Sequence, residues 1–155
     1  MKHFFLFLSL FLALGTQFCA RAQEHRIDFS LTLSGTLLYG IDYHYVWKDH
    51  SALRAGVTLG IEHGHFVPGA HLIYQYTFLP DKSLSPYVGV GPHFMLTTDP
   101  KRGWVHLTLL KFPVGARYRS NPKNSFGMEL WPAYFAARHK LVPFIGLSGI
   151  YSRKF

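Results

Sequence analysis

From residue 26 to the C-terminus, apolar and polar positions alternate with a period of two. An extended chain sends successive side chains to opposite faces, so each such run reads as a strand with one apolar and one polar face. In 26–34, Ile27, Phe29, Leu31 and Leu33 stand against Asp28, Ser30, Thr32 and Ser34. In 37–48, Tyr39, Ile41, Tyr43, Tyr45 and Trp47 stand against Gly40, Asp42 and His44. A turn at Ser34-Gly35-Thr36 sets Leu33 opposite Leu37, and Gly35 supplies its unusual backbone angle. The same pattern predicts strands at 52–62, 69–78, 84–96, 104–119, 126–136 and 141–155, which makes eight. Segment 104–119 changes phase: Val105 and Leu107 are odd, whereas Leu110, Phe112, Val114, Ala116 and Tyr118 are even. A β-bulge near Leu109 is the expected reconciliation. Trp131 and Phe135 interrupt the polar side of 126–136. No stretch has convincing helical periodicity.

The last strand carries more information than the others. Ile145, Leu147, Tyr151 and Phe155 share one face, and the chain stops on Phe155. An amphipathic strand ending on an aromatic residue resembles the C-terminal signature of bacterial outer-membrane β-barrel proteins. Arg153 departs from that signature, because it occupies an outward position where the family carries an apolar residue. In pattern, length and C-terminus the segment 23–155 resembles the small eight-stranded barrels of the OmpA/OmpX-type group. The resemblance implies an all-β, antiparallel, up-and-down transmembrane barrel. It implies that both termini are periplasmic and that Phe155 is the signal read by the barrel-assembly machinery. The turns at 35, 63–66, 97–103 and 137–140 then face outward from the cell, and those at 49–51, 79–83 and 120–125 face the periplasm.

The first residues fit that location. Lys2 and His3 form a short basic start, Phe4 to Leu14 are almost all apolar, and Ala20-Arg21-Ala22 is an A-x-A cleavage site. Residues 1–22 are therefore read as a signal peptide and 23–155 as one barrel domain. Its apolar run is shorter than the roughly 20 residues of a membrane-spanning helix. Thr16-Gln17-Phe18 before Cys19 lack the small residues of a lipidation site. Cleavage removes Cys19, the single cysteine, so the mature chain has no disulfide or thiol chemistry. The full chain has 16 Lys+Arg against 8 Asp+Glu; losing Lys2 and Arg21 with the leader lowers the net charge from +8 to +6. Lys101, Arg102, Lys123, Arg138 and Lys140 fall in turns and at strand ends, where they meet anionic lipid and lipopolysaccharide. There is no basic helix or nucleic-acid motif, so nucleic acid is not an expected partner.

Alternation alone does not say which face points outward. A secreted soluble barrel holding a hydrophobic ligand would place the apolar set inside. Three features favour the membrane arrangement. Aromatic residues of the apolar set gather at the ends of even-numbered strands: Tyr43, Tyr45 and Trp47; Tyr74, Tyr76 and Phe78; Tyr118; Tyr151 and Phe155. In an up-and-down barrel those ends share one rim, and there they form an interfacial girdle. The polar face is rich in Gly, Ser and Thr, unlike the Lys- and Glu-dense surface of a soluble protein. It also carries opposed charges, with Asp28, Asp42, Glu62 and Glu129 against Arg54, Lys111 and Arg117. In an eight-stranded barrel, side chains fill the interior, and these charges are expected to pair there.

Candidate chemistry is sparse. His63-Gly64-His65 beside Glu62 offers two imidazoles but no second ligand pair, so no metal or cofactor site is expected. His71 and His93 lie on the luminal face with Glu62 and Glu129 as candidate neighbours, and a structural charge network accounts for them. Some barrels of this group are enzymes that remove or transfer lipid A acyl chains, using Ser and His on the lipid-facing wall. The outward face of strands two to five has no Ser or His, and the last two strands lack His-x-Ser. No catalytic residues are therefore expected, and a lipid A-modifying enzyme remains the alternative. Gly56, Gly89 and Gly146 are expected to receive inward aromatics such as Tyr87 and Phe144.

Overall fold

A computed structural model describes residues 24–34, 37–48, 50–62, 65–99, 103–135 and 140–155. The expected leader and Cys19 lie outside them, as do the side chains of Glu62, Thr98, Asp99 and residues 140–145. The strands are β1 (Glu24–Leu33), β2 (Leu37–Lys48), β3 (Ser51–Glu62), β4 (His65–Thr77), β5 (Leu84–Asp99), β6 (Gly103–Lys111), β7 (Val114–Arg119), β8 (Asn124–Phe135) and β9 (Lys140–Lys154). Every pairing is antiparallel, β1 pairs with β9, and β4 pairs with β5, so the sheet closes on itself. No helix occurs among the described residues.

β6 and β7 are two halves of one crossing, since both lie between β5 and β8. The barrel therefore has eight staves, as the alternation predicts. Two prolines cause the interruption: neither Pro113 nor Pro132 has an N–H to give to the ladder. The remaining donors still bridge the gap, with Gly89 N donating to Pro113 O at 2.8 Å and Phe112 N to Pro132 O at 3.0 Å. Register is unbroken across it: Lys111 pairs with Gly91 and Ala133, Val114 with Val88 and Leu130.

The expected bulge near Leu109 is accordingly absent. Leu109 and Lys111 are buried inward, and Val105 and Leu107 share their parity. Trp104, His106, Thr108 and Leu110 are the exposed, outward set. The apolar odd positions misled because the upper lumen is itself apolar: Leu38, Val67 and Leu109 are all buried inside. Register shifts occur elsewhere, between Val46 and Lys48 and between Trp131 and Ala133. The strands also run further than expected at one end. Phe66 and Val67 pair with Ile61 and Gly60, and Thr97 and Thr98 pair with Val105 and Trp104. The turns there are shorter than 63–66 and 97–103.

The faces are inside-out relative to a water-soluble barrel. Phe29, Ile41, Val57, Leu72, Phe94 and Met128 are exposed on the outer wall, Val57 at 60 %. Asp28, Asp42, Arg54 and Glu129 are at most 1 % exposed inside. A continuous apolar exterior of this kind has no favourable solvent but lipid.

Candidate functional site

The lumen is the chemically dense part of the molecule. Arg54 on β3 and Glu129 on β8 stand on opposite sides of the ring. The Arg54 Nη1 donates to Glu129 Oε2 at 2.5 Å, spanning the barrel, while its Nε donates to Asp42 Oδ2 at 2.7 Å. Lys111 Nζ lies 3.4 Å from Glu129 Oε1, and Tyr87 OH donates to Glu129 Oε2 at 3.1 Å. One level nearer the rim that carries Tyr43, Tyr74, Tyr76 and Phe78, hereafter the first rim, Arg117 Nη2 donates to Asp28 Oδ2 at 2.7 Å, and His44 Nε2 approaches the same oxygen at 2.8 Å without hydrogen-bond alignment. The expected charges other than Glu62 are thus brought together, with three cations facing three carboxylates. The Glu62 backbone sits at the end of β3, opposite His65, and its side chain lies outside the described residues. Buried charges are costly without partners, and each of these six has one.

Of the carboxylates expected near His71 and His93, Glu129 is engaged by Arg54, Lys111 and Tyr87, and the Glu62 side chain lies outside the described residues. His71 Nε2 is 3.1 Å from Asp42 Oδ1, on a carboxylate already held by Arg54. His93 packs edge-on against His71 at 5.4 Å and against Trp131 at 6.1 Å, with Thr58 Oγ1 at 3.3 Å from its Nε2. His93 is fully buried. General acid–base catalysis needs reach to a substrate, and this pair is sealed within the lumen.

Three luminal residues were not placed in the charge network by sequence: His44, Trp131, and Tyr87, which was expected inward only as an aromatic filling a glycine. The signal for two of them was an aromatic residue breaking the polar parity opposite a glycine. Trp131 pairs with Gly146, where an added Cβ would stand 2.6 Å from the indole. Tyr87 pairs with Gly115, where a Cβ would stand 2.6 Å from the phenol ring. Gly146 thus receives Trp131, and Phe144 lies outside the described side chains. Gly89 is filled by Pro113 and Ile73, and Gly56 by the Asp42 carboxylate and His71, in place of a Tyr or Phe ring. The Trp131 Nε1 donates to Ser148 Oγ at 3.2 Å, and the Lys111 ammonium lies 4.4 Å from its ring centroid.

On the outer wall, Tyr43, Tyr74, Tyr76, Phe78 and Tyr118 are exposed at the first rim, and Tyr151 is half-buried there. Tyr45 keeps the outward parity but is covered, with the rings of His25 and Trp47 at 6.1 and 6.0 Å. Trp47 sits at the register shift of β2 and reaches Tyr74 at 5.9 Å. Phe155 is exposed beyond β9, and its N donates to His25 O at 3.1 Å. Phe66 and Trp104 are exposed outward at the opposite rim. The corrected phase of β6 also places His106 and Thr108 on the outer wall. Their partners on β5 are Leu96 and Phe94. His63 and Gly64 lie outside the described residues, and His65 is exposed at the start of β4. Among the described residues no group of three His, Cys, Asp or Glu side chains is arranged to hold a metal ion.

No protein-family model matches the chain, and no curated protein matches it in sequence. Solved structures do resemble it. The N-terminal β-barrel domain of Pseudomonas aeruginosa OprF superposes with a TM-score of 0.75 at 17% identity, covering 86% of this chain and 98% of that one. A de novo designed transmembrane β-barrel gives 0.63 at 13% identity, covering 86% and 97%. The outer-membrane protein OprG of Pseudomonas aeruginosa gives 0.56 at 13% identity, covering 87% and 97%. At such identities the likeness is one of fold, and the chain has the fold of the small eight-stranded outer-membrane β-barrels.

Proposed function

We propose that the chain is an integral outer-membrane β-barrel with a structural, envelope-maintaining role, a lumen closed by its own side chains and no catalytic site. The observation that carries this reading is the Arg54–Glu129 bridge across an apolar-walled ring. Asp42, Tyr87 and Lys111 converge on the same bridge, so the middle of the lumen is occupied by paired charge rather than by an aqueous path. Residues 1–22 serve as the export leader and 23–155 as the barrel. Both termini lie on the periplasmic side, where the rim aromatics Tyr43, Tyr74, Tyr76 and Phe78 sit at the headgroup level. Phe155 is the feature offered to the barrel-assembly machinery, and outer-membrane lipid and lipopolysaccharide are the surroundings of the wall. The burial of the His71–His93 pair and the apolar β5 partner of His106 speak against lipid A chemistry.

The reading is tested by fractionation and by lipid A analysis of a deletion strain. The protein is expected in the outer-membrane pellet, and lipid A masses are expected to be unchanged. Recovery in the soluble periplasm, or loss of a lipid A species restored by the gene, would overturn it.

A further inference from the structure

The first rim opens into a blind cavity of about 350 Å³. Its lining includes His44, Gln75, Tyr87 and Arg117, and Tyr87 also donates to Glu129 of the central bridge. Five cations line it, Arg26, Arg117, Arg119, Lys123 and Lys154, and the acid among the lining residues is Glu24. Glu24 is shared between Arg26 and Lys154, the latter at 2.7 Å. Arg119 spends one donor on Pro80 O at 2.6 Å. Positive charge therefore exceeds negative charge at this mouth even after Asp28 is set against Arg117.

The second observation is independent of that charge count. Arg117 is 6 % exposed, and its Nε has no hydrogen-bond partner. Buried polar groups are almost always satisfied, and a buried guanidinium on the cavity lining with an unpartnered N–H has hydrogen-bonding capacity left for an acceptor. Guanidinium matches oxyanions through paired N–H donors. The volume sits at the lower end of the about 300–1,000 Å³ of small-ligand sites, enough for a phosphate group with a small organic body.

We propose that this vestibule binds a phosphate-bearing small anion, with Arg117 at its floor and Arg26 and Lys123 nearer the mouth. The same chemistry is offered by a soluble phosphate ester and by a lipid headgroup folded over the rim. The experiment titrates glycerol 1-phosphate into full-length barrel, folded in a phosphate-free maltoside detergent, by calorimetry. Saturable binding is expected. It should weaken about tenfold in Arg117→Gln, as loss of a charge-assisted contact predicts. Weakening is also expected in Lys123→Gln, but none in Lys82→Gln, a cation of the same rim that does not line the cavity. Arg117→Gln leaves Asp28 short of its partner, so Arg117→Lys, which keeps the charge and loses Nε, is measured alongside; heat-modifiable migration reports folding of both. Repeating the titration in nanodiscs of phosphatidylcholine, with and without phosphatidylglycerol, separates the two sources. Binding that phosphatidylglycerol abolishes assigns the site to a headgroup, and binding that survives assigns it to a soluble ester. No saturable binding by folded wild-type protein, or equal affinity in wild type and both Arg117 variants, would overturn the proposal.

Discussion

Glu129 accepts or faces donors from three strands: Arg54 on β3, Tyr87 on β5 and Lys111 on β6. Removing it leaves two buried cations with Asp42 as their remaining carboxylate nearby. Glu129→Ala should therefore lower stability by about 3–5 kcal/mol, the range for breaking a buried pair on one side. Tyr87→Phe removes a single neutral donor and should cost only about 0.5–1.5 kcal/mol. Urea unfolding in lipid vesicles measures both, and equal midpoint shifts would show that the charged bridge does not dominate. At this scale, the sequence revealed which way each charge points and little about its partner. Parity alone turned Asp28 and Arg117 inward, yet they meet across 89 residues of sequence, on strands that do not pair. That meeting depends on the curvature and stagger of the closed ring, which no local pattern encodes. Trp131 was visible as a break in the polar pattern and Tyr87 as an inward aromatic that fills a glycine, but the glycines they meet, Gly146 and Gly115, lie in other strands.

Alternation specified each element because a one-residue slip would turn its whole apolar set inward. β3 is the clean case: Leu53, Val57, Leu59 and Ile61 are exposed outward while Arg54 is buried. Leu59→Arg should impair insertion, at a midplane cost of about 2–4 kcal/mol on the lipid side. Thr58→Arg, on the luminal side, should be tolerated better, and folding yield into vesicles compares the two. The reverse order of yields would exchange inside and outside. β6 was the element where the rule misled, because Val105 and Leu107 are apolar residues that face an apolar stretch of lumen. A spin label tests the corrected phase, since the chain after residue 22 has no native cysteine. In vesicles, oxygen collisions from the lipid phase should broaden or relax a label at Thr108→Cys strongly and one at Leu107→Cys weakly. The opposite ranking would restore the bulge.

For the whole molecule, closure is the property that organises the rest. β9 must find β1 to complete the ring, and they pair from Leu33 with Leu147 to Arg26 with Lys154. Phe155 lies just past that seam and is bonded through its N to His25 O. Deleting it should slow closure and leave unfolded precursor, seen as loss of heat-modifiable migration; unchanged yield would detach Phe155 from assembly. Once the ring is closed, its transport behaviour depends on what fills it. Arg54 and Glu129 reach each other from opposite walls, and Asp42, Tyr87 and Lys111 crowd the same level. Wild-type protein in planar bilayers is therefore expected to give no large stable conductance. The double variant Arg54→Ala/Glu129→Ala removes both ends of the bridge, so neither remains as an orphaned charge, and it should be less destabilised than the two single variants together. It also clears the diameter at that level, leaving space for water beside Asp42 and Lys111. Conductance should then rise above the wild-type baseline while heat-modifiable migration persists. A wild type that already conducts as well as the double variant would mean that the bridge spans the lumen without closing it.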